Sequence, residues 1–340
     1  MSVAPTHRVA VIGGDGIGPE VTNEALRVLA ALNVNFETTN FDLGAARYLR
    51  DGFVLDDDTL QILRGFDAIL LGAIGPAIGD VRIPAGTLER GLLLRMRFDL
   101  DLYINYRPFR AVAGSIANGC EFAIVRENTE GPYAGEGGVL RYGTPQEVAT
   151  QGSVNTRFGV ERCVRYAFVR ASQLAEPRVT LVHKTNVLTF AGALWQRVTN
   201  EVAAQYPAVV VDYQHVDAAC IYLVERPAHY GIIVTDNLFG DILSDLAGAV
   251  SGGIGYAASA NLNPARTGPS LFEPVHGAAH DIAGTGRANP LAAISSAALM
   301  LEHLGEVEAA ARLSVAVADF DLDVHALRTA EVTDELIRRL

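Results

Sequence analysis

The feature that most constrains the fold is an alternation of short apolar, β-prone runs with longer stretches of helical period. Residues 178–183, 209–213 and 231–235 each predict a buried strand, and each is followed by a predicted helix, at 188–206, 217–225 and 239–250. The chain opens in the same way. Residues 8–13 predict a strand, a glycine-rich loop follows, and Val21, Ala25, Val28, Leu29 and Leu32 predict a helix over 20–32, with Pro19 suited to its first turn. Residues 66–73 add another buried strand, and 289–303, 306–318 and 331–340 predict helices. Strands alternating with helices specify an α/β protein. The stretch 131–152 breaks the pattern: it is Gly-rich, carries short β-prone runs and predicts a hairpin arm. At 340 residues the chain exceeds one ordinary core. It has no visible linker, so two lobes that share the chain by crossing over more than once are expected.

Composition narrows the function. With 49% apolar and 19% charged residues the chain is not disordered. Its 27 basic and 39 acidic side chains leave a net charge of −12, which argues against a general nucleic-acid or anionic-membrane binder. Cys120, Cys163 and Cys220 lack metal-ligand spacing and read as free thiols in a reducing compartment. Residues 1–8 lack a signal-peptide layout, and no run approaches the roughly 20 apolar residues of a membrane span. A cytoplasmic protein is expected.

Of the 27 basic residues only Lys184 is a lysine. An ammonium can give up its proton when its surroundings lower its pKa, and a guanidinium cannot. A genome biased towards Arg codons explains the missing lysines but not the one retained, so Lys184 is a candidate functional base.

Four constellations carry possible chemistry. The loop Gly14-Asp15-Gly16-Ile17-Gly18-Pro19 has strand-turn-helix context, yet Pro19 breaks the G-x-G-x-x-G spacing and Asp15 would meet a pyrophosphate with the wrong sign. A ligand edge and a plain tight turn both remain open there. Arg97, Arg107 and Arg126 could clamp carboxylates bidentately, with Arg126 at the end of an apolar strand; Arg95 reads as an ordinary surface residue. Asp241 and Asp245 lie four apart on one helix face, with Asp217 as a possible third carboxylate. Such oxygens suit Mg²⁺ or Mn²⁺, although exposed acids near a helix start are also stabilising in themselves. The run 272–284, with Glu273, His276, Gly277, Ala278, His280 and Asp281, mixes polar and small residues that let a flat ligand approach the backbone. No G-x-S-x-G or H-E-x-x-H motif is present.

In order along the chain, GDGIGPEV (14–21), LLGAIG (70–75), ERGLLLRMRFDLDLYINYRP (89–108), RENTEGPYAG (126–135), HKTNVL (183–188), TDNLFGDILSDL (235–246), GGIGYAASAN (252–261) and FEPVHGAAHDIAG (272–284) resemble the metal-dependent β-decarboxylating dehydrogenases. That family comprises 3-isopropylmalate, isocitrate, homoisocitrate and tartrate/malate dehydrogenases. The resemblance implies a two-lobed fold with a long mixed sheet that is not a Rossmann fold. A cofactor-side lobe would span 1–102 plus 254–340, and a dimerisation and metal/substrate lobe 103–253, with the arm near 131–152. It implies a homodimer whose sites share residues. It further implies that Arg97, Arg107 and Arg126 hold the carboxylates of a 2-hydroxy dicarboxylate. Asp241, Asp245 and the partner's Asp217 would hold Mg²⁺ or Mn²⁺. Lys184, again from the partner, would act as base, supported by Asp217, and Tyr133 as acid. Ile17, Glu89, Glu273, His276, Gly277, Ala278, Asp281 and Asn289 would bind the nucleotide, with Asp281 selecting NAD by repelling a 2′-phosphate.

Leu93 and Leu94 stand before Arg97, where the family's specificity pocket lies. They cannot hydrogen-bond a third carboxylate, whereas a branched alkyl group gains about 0.8 kcal/mol per buried methylene. The expected reaction is oxidative decarboxylation of 3-isopropylmalate in leucine synthesis. A related alkylmalate, tartrate/malate or isocitrate-type substrate is the alternative, and a catalytically silent regulatory subunit a more distant one.

Overall fold

The structure, a computed structural model, describes residues 6–340; residues 1–5, part of the segment read above for a signal peptide, lie outside them. The chain forms two compact units, one running up to Leu102 and resuming over Gly253–Leu340, the other continuous over Tyr103–Gly252.

The first unit begins with β1 (His7–Gly14), α1 (Gly18–Ala31), β2 (Phe36–Asn40), α2 (Ala45–Asp51), α3 (Asp57–Leu63) and β3 (Ala68–Ala73). All six residues of β3 are buried, as expected of a parallel strand covered on both faces. A π-helical turn over Glu89–Leu94 runs into the short α4 (Arg95–Asp99). Its Leu92 and Met96 are fully buried in a core with Ile12, Leu63, Ile69 and Leu71.

The second unit carries β4 (Ile104–Arg110), β5 (Glu121–Glu127), β6 (Gly137–Leu140), β7 (Val148–Gln151), α5 (Arg157–Ala171), β8 (Arg178–His183), α6 (Thr189–Ala203), β9 (Val210–His215), α7 (Val216–Glu225), β10 (Ile232–Thr235) and α8 (Asn237–Val250). Its main strands run in the order β4-β5-β10-β8-β9, with β4 antiparallel to β5 and the rest parallel. Helix α8 lies against β5, and α5 packs on β5 and β10. Strands β6 and β7 form a separate antiparallel hairpin, the expected arm, and every residue of both is exposed.

The chain then completes the first unit with β11 (Ala258–Leu262), β12 (Ser270–Pro274), α9 (Leu291–Leu304), α10 (Val307–Ala318) and α11 (Thr329–Arg339). The strand order there is β2-β1-β3-β12-β11, parallel except for the antiparallel pair β11/β12. A parallel Rossmann half has no such antiparallel partner beside its central strands, so the mixed, non-Rossmann reading holds. Helix α1 packs on β1 and β3 and against α9 and α11. No helix among the described residues is long and apolar enough to cross a membrane.

Candidate active site

Helix α8 organises one cluster within the second unit. It starts directly after β10, and Asp236 caps it by accepting from the Phe239 amide at 2.8 Å. Asp241 and Asp245 thus fall on successive turns. Arg126, at the end of β5 and 1% exposed, lies under this helix. A Cβ on Gly240 would come within 2.5 Å of Arg126 Cγ, so only glycine lets the helix approach this closely. The Arg126 Nε donates to Asn237 Oδ1 at 2.9 Å, and its Nη1 bonds to Asp241 Oδ1. Tyr133 donates to the other Asp241 oxygen, and Arg126 sits over the Tyr133 ring, 5.2 Å from its centroid. Arg107, also buried, donates to Ser244 at 2.6 Å and lies 3.8 Å from Asp245.

This setting pulls the two aspartates apart. Burial works to raise the Asp241 carboxyl, but the charges of Arg126 and Arg107, with the Tyr133 hydrogen bond, hold it below the usual carboxylate range. Burial raises Asp245, Arg107 opposes that, and the neighbouring Asp241 charge adds to it. Two like carboxylates on one helix face, one discouraged from ionising, are a donor set that a hard divalent cation would relieve.

Lys184 and Asp217 form a second grouping in the same unit. Lys184 follows β8, Asp217 lies in the first turn of α7, and Lys184 Nζ donates to Asp217 Oδ1 at 2.6 Å. That hydrogen bond, reinforced by the lysine charge, holds the Asp217 carboxyl below its usual range. Within one chain Asp217 does not join Asp241 and Asp245: among the described residues no three His, Cys, Asp or Glu side chains converge as a metal cage.

In the first unit the glycine loop is built against the 272–284 run. The Ile17 amide donates to the Ala278 carbonyl at 2.8 Å, and Gly16, at φ +57°, leaves no room for a Cβ beside that carbonyl oxygen. Asp15 is only 4% exposed and accepts from the amides of Ala45, Ala46 and Gly75. It fastens the loop from inside, which removes the difficulty of an acid facing a pyrophosphate. Ile17 and Ala278 are buried, Gly277 has open space beside it, and His276 is buried with no partner for its Nε2. Glu273 accepts from Asn261 at 2.7 Å and from Arg97 at 3.3 Å. Asn289 accepts from the Leu291 amide; Glu89 and Asp281 are exposed. Leu93 packs partly against the core around Leu92, and Leu94 is half-buried. Arg95 bonds to Asp57, Asp99 and the Leu55 carbonyl, so its guanidinium is committed to the protein itself.

A profile of the isocitrate/isopropylmalate dehydrogenases matches residues 8–336. The chain belongs to that family. It is 56% identical to a 3-isopropylmalate dehydrogenase of Corynebacterium glutamicum, over 98% of this chain and 99% of the relative. It is 59% identical to one of Corynebacterium efficiens, over 92% of each. Among solved structures, an isocitrate dehydrogenase of Methylococcus capsulatus superposes with a TM-score of 0.88 at 36% identity, over 98% of this chain and 99% of that one. A β-decarboxylating dehydrogenase of Thermococcus kodakarensis gives 0.80 at 36% identity, over 98% and 96%.

As a member of the isocitrate/isopropylmalate dehydrogenase family, the chain is an NAD-dependent β-decarboxylating dehydrogenase that acts on a hydroxy-dicarboxylate and requires Mg²⁺ or Mn²⁺. Its residues fit both groups. The orphaned Nε2 of His276, the open space at Gly277 and the free-standing Asp281 suit a dinucleotide. The Asp241/Asp245 oxygens suit the metal. Sequence reasoning missed Asn237, Glu130 and Glu127. Asn237 bridges Arg126 to the Glu130 carbonyl at 2.9 Å, and Glu127 accepts from Thr129 and Glu130. All three lie inside motifs quoted above, but only the folded chain brings their partners together.

Proposed function

We propose that this enzyme oxidatively decarboxylates 3-isopropylmalate to 2-oxoisocaproate, the NAD-linked step of leucine synthesis, as a cytoplasmic homodimer. The observation that carries this reading is the end-to-end match to relatives bearing that activity in their names, at higher identity than the isocitrate-specific structural neighbour. The commitment of Arg95 to Asp57 and Asp99 supports it, because that guanidinium is not free to turn inwards and receive an acidic substituent.

Arg97, Arg107 and Arg126 hold the two carboxylates and fix the substrate's orientation. When bound, NAD⁺ supplies the hydride acceptor, and the divalent ion at Asp241, Asp245 and the partner's Asp217 supplies Lewis acidity towards the substrate oxygens. The partner's Lys184 takes the proton of the 2-hydroxyl. The guanidinium charges around Asp241 stabilise negative charge developing on oxygen as CO₂ departs. Tyr133 then delivers a proton to the substrate carbon. A dimer that shares its sites accounts for Lys184 and Asp217 forming a pair of their own. It would also cover apolar side chains that stand exposed in the second unit, among them Phe190 (94%), Val187 (64%) and Ile242 (52%).

The test is a side-by-side kcat/KM comparison of 3-isopropylmalate, isocitrate, homoisocitrate, D-malate and tartrate with Mn²⁺ and either NAD⁺ or NADP⁺. 3-Isopropylmalate with NAD⁺ should lead by at least about tenfold, the discrimination one well-filled apolar pocket supplies. A lead by isocitrate or tartrate would overturn the substrate, and parity with NADP⁺ would overturn the role of Asp281.

A further inference from the structure

One hydroxyl ties together the two ends of the Lys184–Asp217 pair. Strands β8 and β9 run parallel with Leu181 opposite Tyr213 and His183 opposite His215. Tyr213 therefore sits one pleat below the strand ends, and its ring reaches up to the chain on either side of Lys184. The Thr185 amide donates to the Tyr213 hydroxyl oxygen at 3.1 Å, and the Thr185 hydroxyl lies 2.8 Å from the same atom. The His183 carbonyl is 3.4 Å away. On the other side, the Tyr213 hydroxyl and His215 Nδ1 are 2.7 Å apart. The Tyr213 oxygen accepts from the Thr185 amide, and with its one proton and remaining lone pair it also meets the Thr185 hydroxyl, the His183 carbonyl and His215 Nδ1, so a single phenol joins the ends of both strands.

His215 ends β9 and stands at the N-cap of α7, where its ring makes no capping bond to the helix. Asp217 is the second residue of that helix. The chain of hydrogen bonds thus joins the residue after Lys184 to the residue that starts the helix bearing Asp217. The Lys184 carbonyl is also fixed, accepting from the Val187 and Leu188 amides at 3.0 and 2.8 Å. The Lys184 ammonium itself ends a side chain with four rotatable bonds and donates to Asp217. Its geometry depends on how firmly the two backbones are held.

We infer that Tyr213 is a positioning residue whose hydroxyl clamps the Lys184–Asp217 pair. It touches no reacting atom. It sets the separation of a base and a carboxylate that must enter the site together, and it rests on the reading of Lys184 as that base.

Because Lys184 is the sole lysine, an amine reagent reports on it directly, with the N-terminal amine resolved by peptide mass spectrometry. The probe is trinitrobenzenesulfonate on the full-length, metal-free and nucleotide-free protein at fixed pH. Tyr213→Phe keeps the ring, and with it the edge-on packing against His215 at 5.2 Å. Labelling of Lys184 in this variant should be roughly fivefold faster, the size expected for one lost hydrogen bond. Its kcat should fall roughly tenfold while KM for the hydroxy acid stays within about twofold, because loosened positioning acts on the chemical step. Thr185→Val should move both readouts in the same direction, and the double variant should be no worse than Tyr213→Phe alone. Wild-type labelling and kcat in Tyr213→Phe, or multiplying effects in the double variant, would overturn the clamp. Lys184→Met serves as the control on the underlying reading: full activity there would sink Lys184 as base, while the labelling comparison would still judge the clamp.

Discussion

Tyr133 donates its hydroxyl to one oxygen of Asp241 at 3.0 Å, while Arg126 holds the other. The proposed proton donor and a proposed metal ligand are therefore in direct contact before any ligand arrives. Asp241 is the point where the acid, the carboxylate clamp and the cation meet.

Asp241→Asn tests that convergence. An amide keeps an oxygen for Tyr133 but loses the charge that a divalent ion needs. The Mn²⁺ concentration for half-maximal activity in chelator-treated enzyme should rise by at least about tenfold, as observed when metal-site ligands or their supports are removed. EDTA should abolish turnover of the wild type, and Mg²⁺ or Mn²⁺ should restore it. An unchanged metal requirement in the variant would remove Asp241 from the ligand set.

Gly240→Ala tests the close packing of α8 on Arg126. The new methyl would lie 2.5–2.6 Å from Arg126 Cγ and Cβ, inside contact distance, and the buried guanidinium has little room to retreat. The expected cost is about 1–3 kcal/mol of stability, the usual range for overpacking. A rise in KM for the hydroxy acid should accompany it as Arg126 is displaced. Thermal unfolding and steady-state kinetics check both, and a neutral substitution would mean that the helix rides freely over Arg126.

The α/β alternation was legible because buried parallel strands and amphipathic helices differ in period, and each predicted strand and helix is observed within a few residues, although β2, α2, α3, α4, β4, α5, β11 and β12 were not predicted. The 217–225 and 239–250 predictions start late because capping residues, His215 and Asp236, are polar and carry no periodic signal. The arginines and aspartates stood out because their type and spacing are chemically unusual. What stayed hidden was long-range pairing. Asp15 looked like an electrostatic conflict until its carboxylate was found to bind the amides of Ala45, Ala46 and Gly75. Arg95, likewise, was settled by Asp57. Tyr213 read as an ordinary strand residue and His215 drew no reading, since nothing local in sequence marks the hydroxyl that reaches Thr185.

Glu127 gives a pH prediction. It is buried beside Arg126, and burial pushes its carboxyl up to about 7, against hydrogen bonds from Thr129 and Glu130 that favour the anion. Unfolded, it titrates near 4.5. Between these values the folded protein keeps the proton and the unfolded chain has lost it, so stability falls as pH rises from 4.5 through 7 and levels off above. Glu127→Gln cannot titrate. From pH 5.5 to pH 8 the wild type should lose on the order of 1–2 kcal/mol more than this variant, read as a widening difference in unfolding midpoints. Equal losses would place the Glu127 carboxyl at its ordinary value.

Strand β3 pairs with β12 through Ala68 opposite Ser270, partners about two hundred residues apart in sequence. During synthesis the first three strands leave the ribosome with one flank of β3 bare, and they stay so until most of the polypeptide has been made. The intervening unit is continuous and meets no such delay. An unpaired, wholly apolar strand is a template for pairing with other chains. The nascent protein is thus most open to aggregation in the interval after its middle section has settled and before its last strands arrive. Strand β3, made early, is among the last to gain its second strand neighbour.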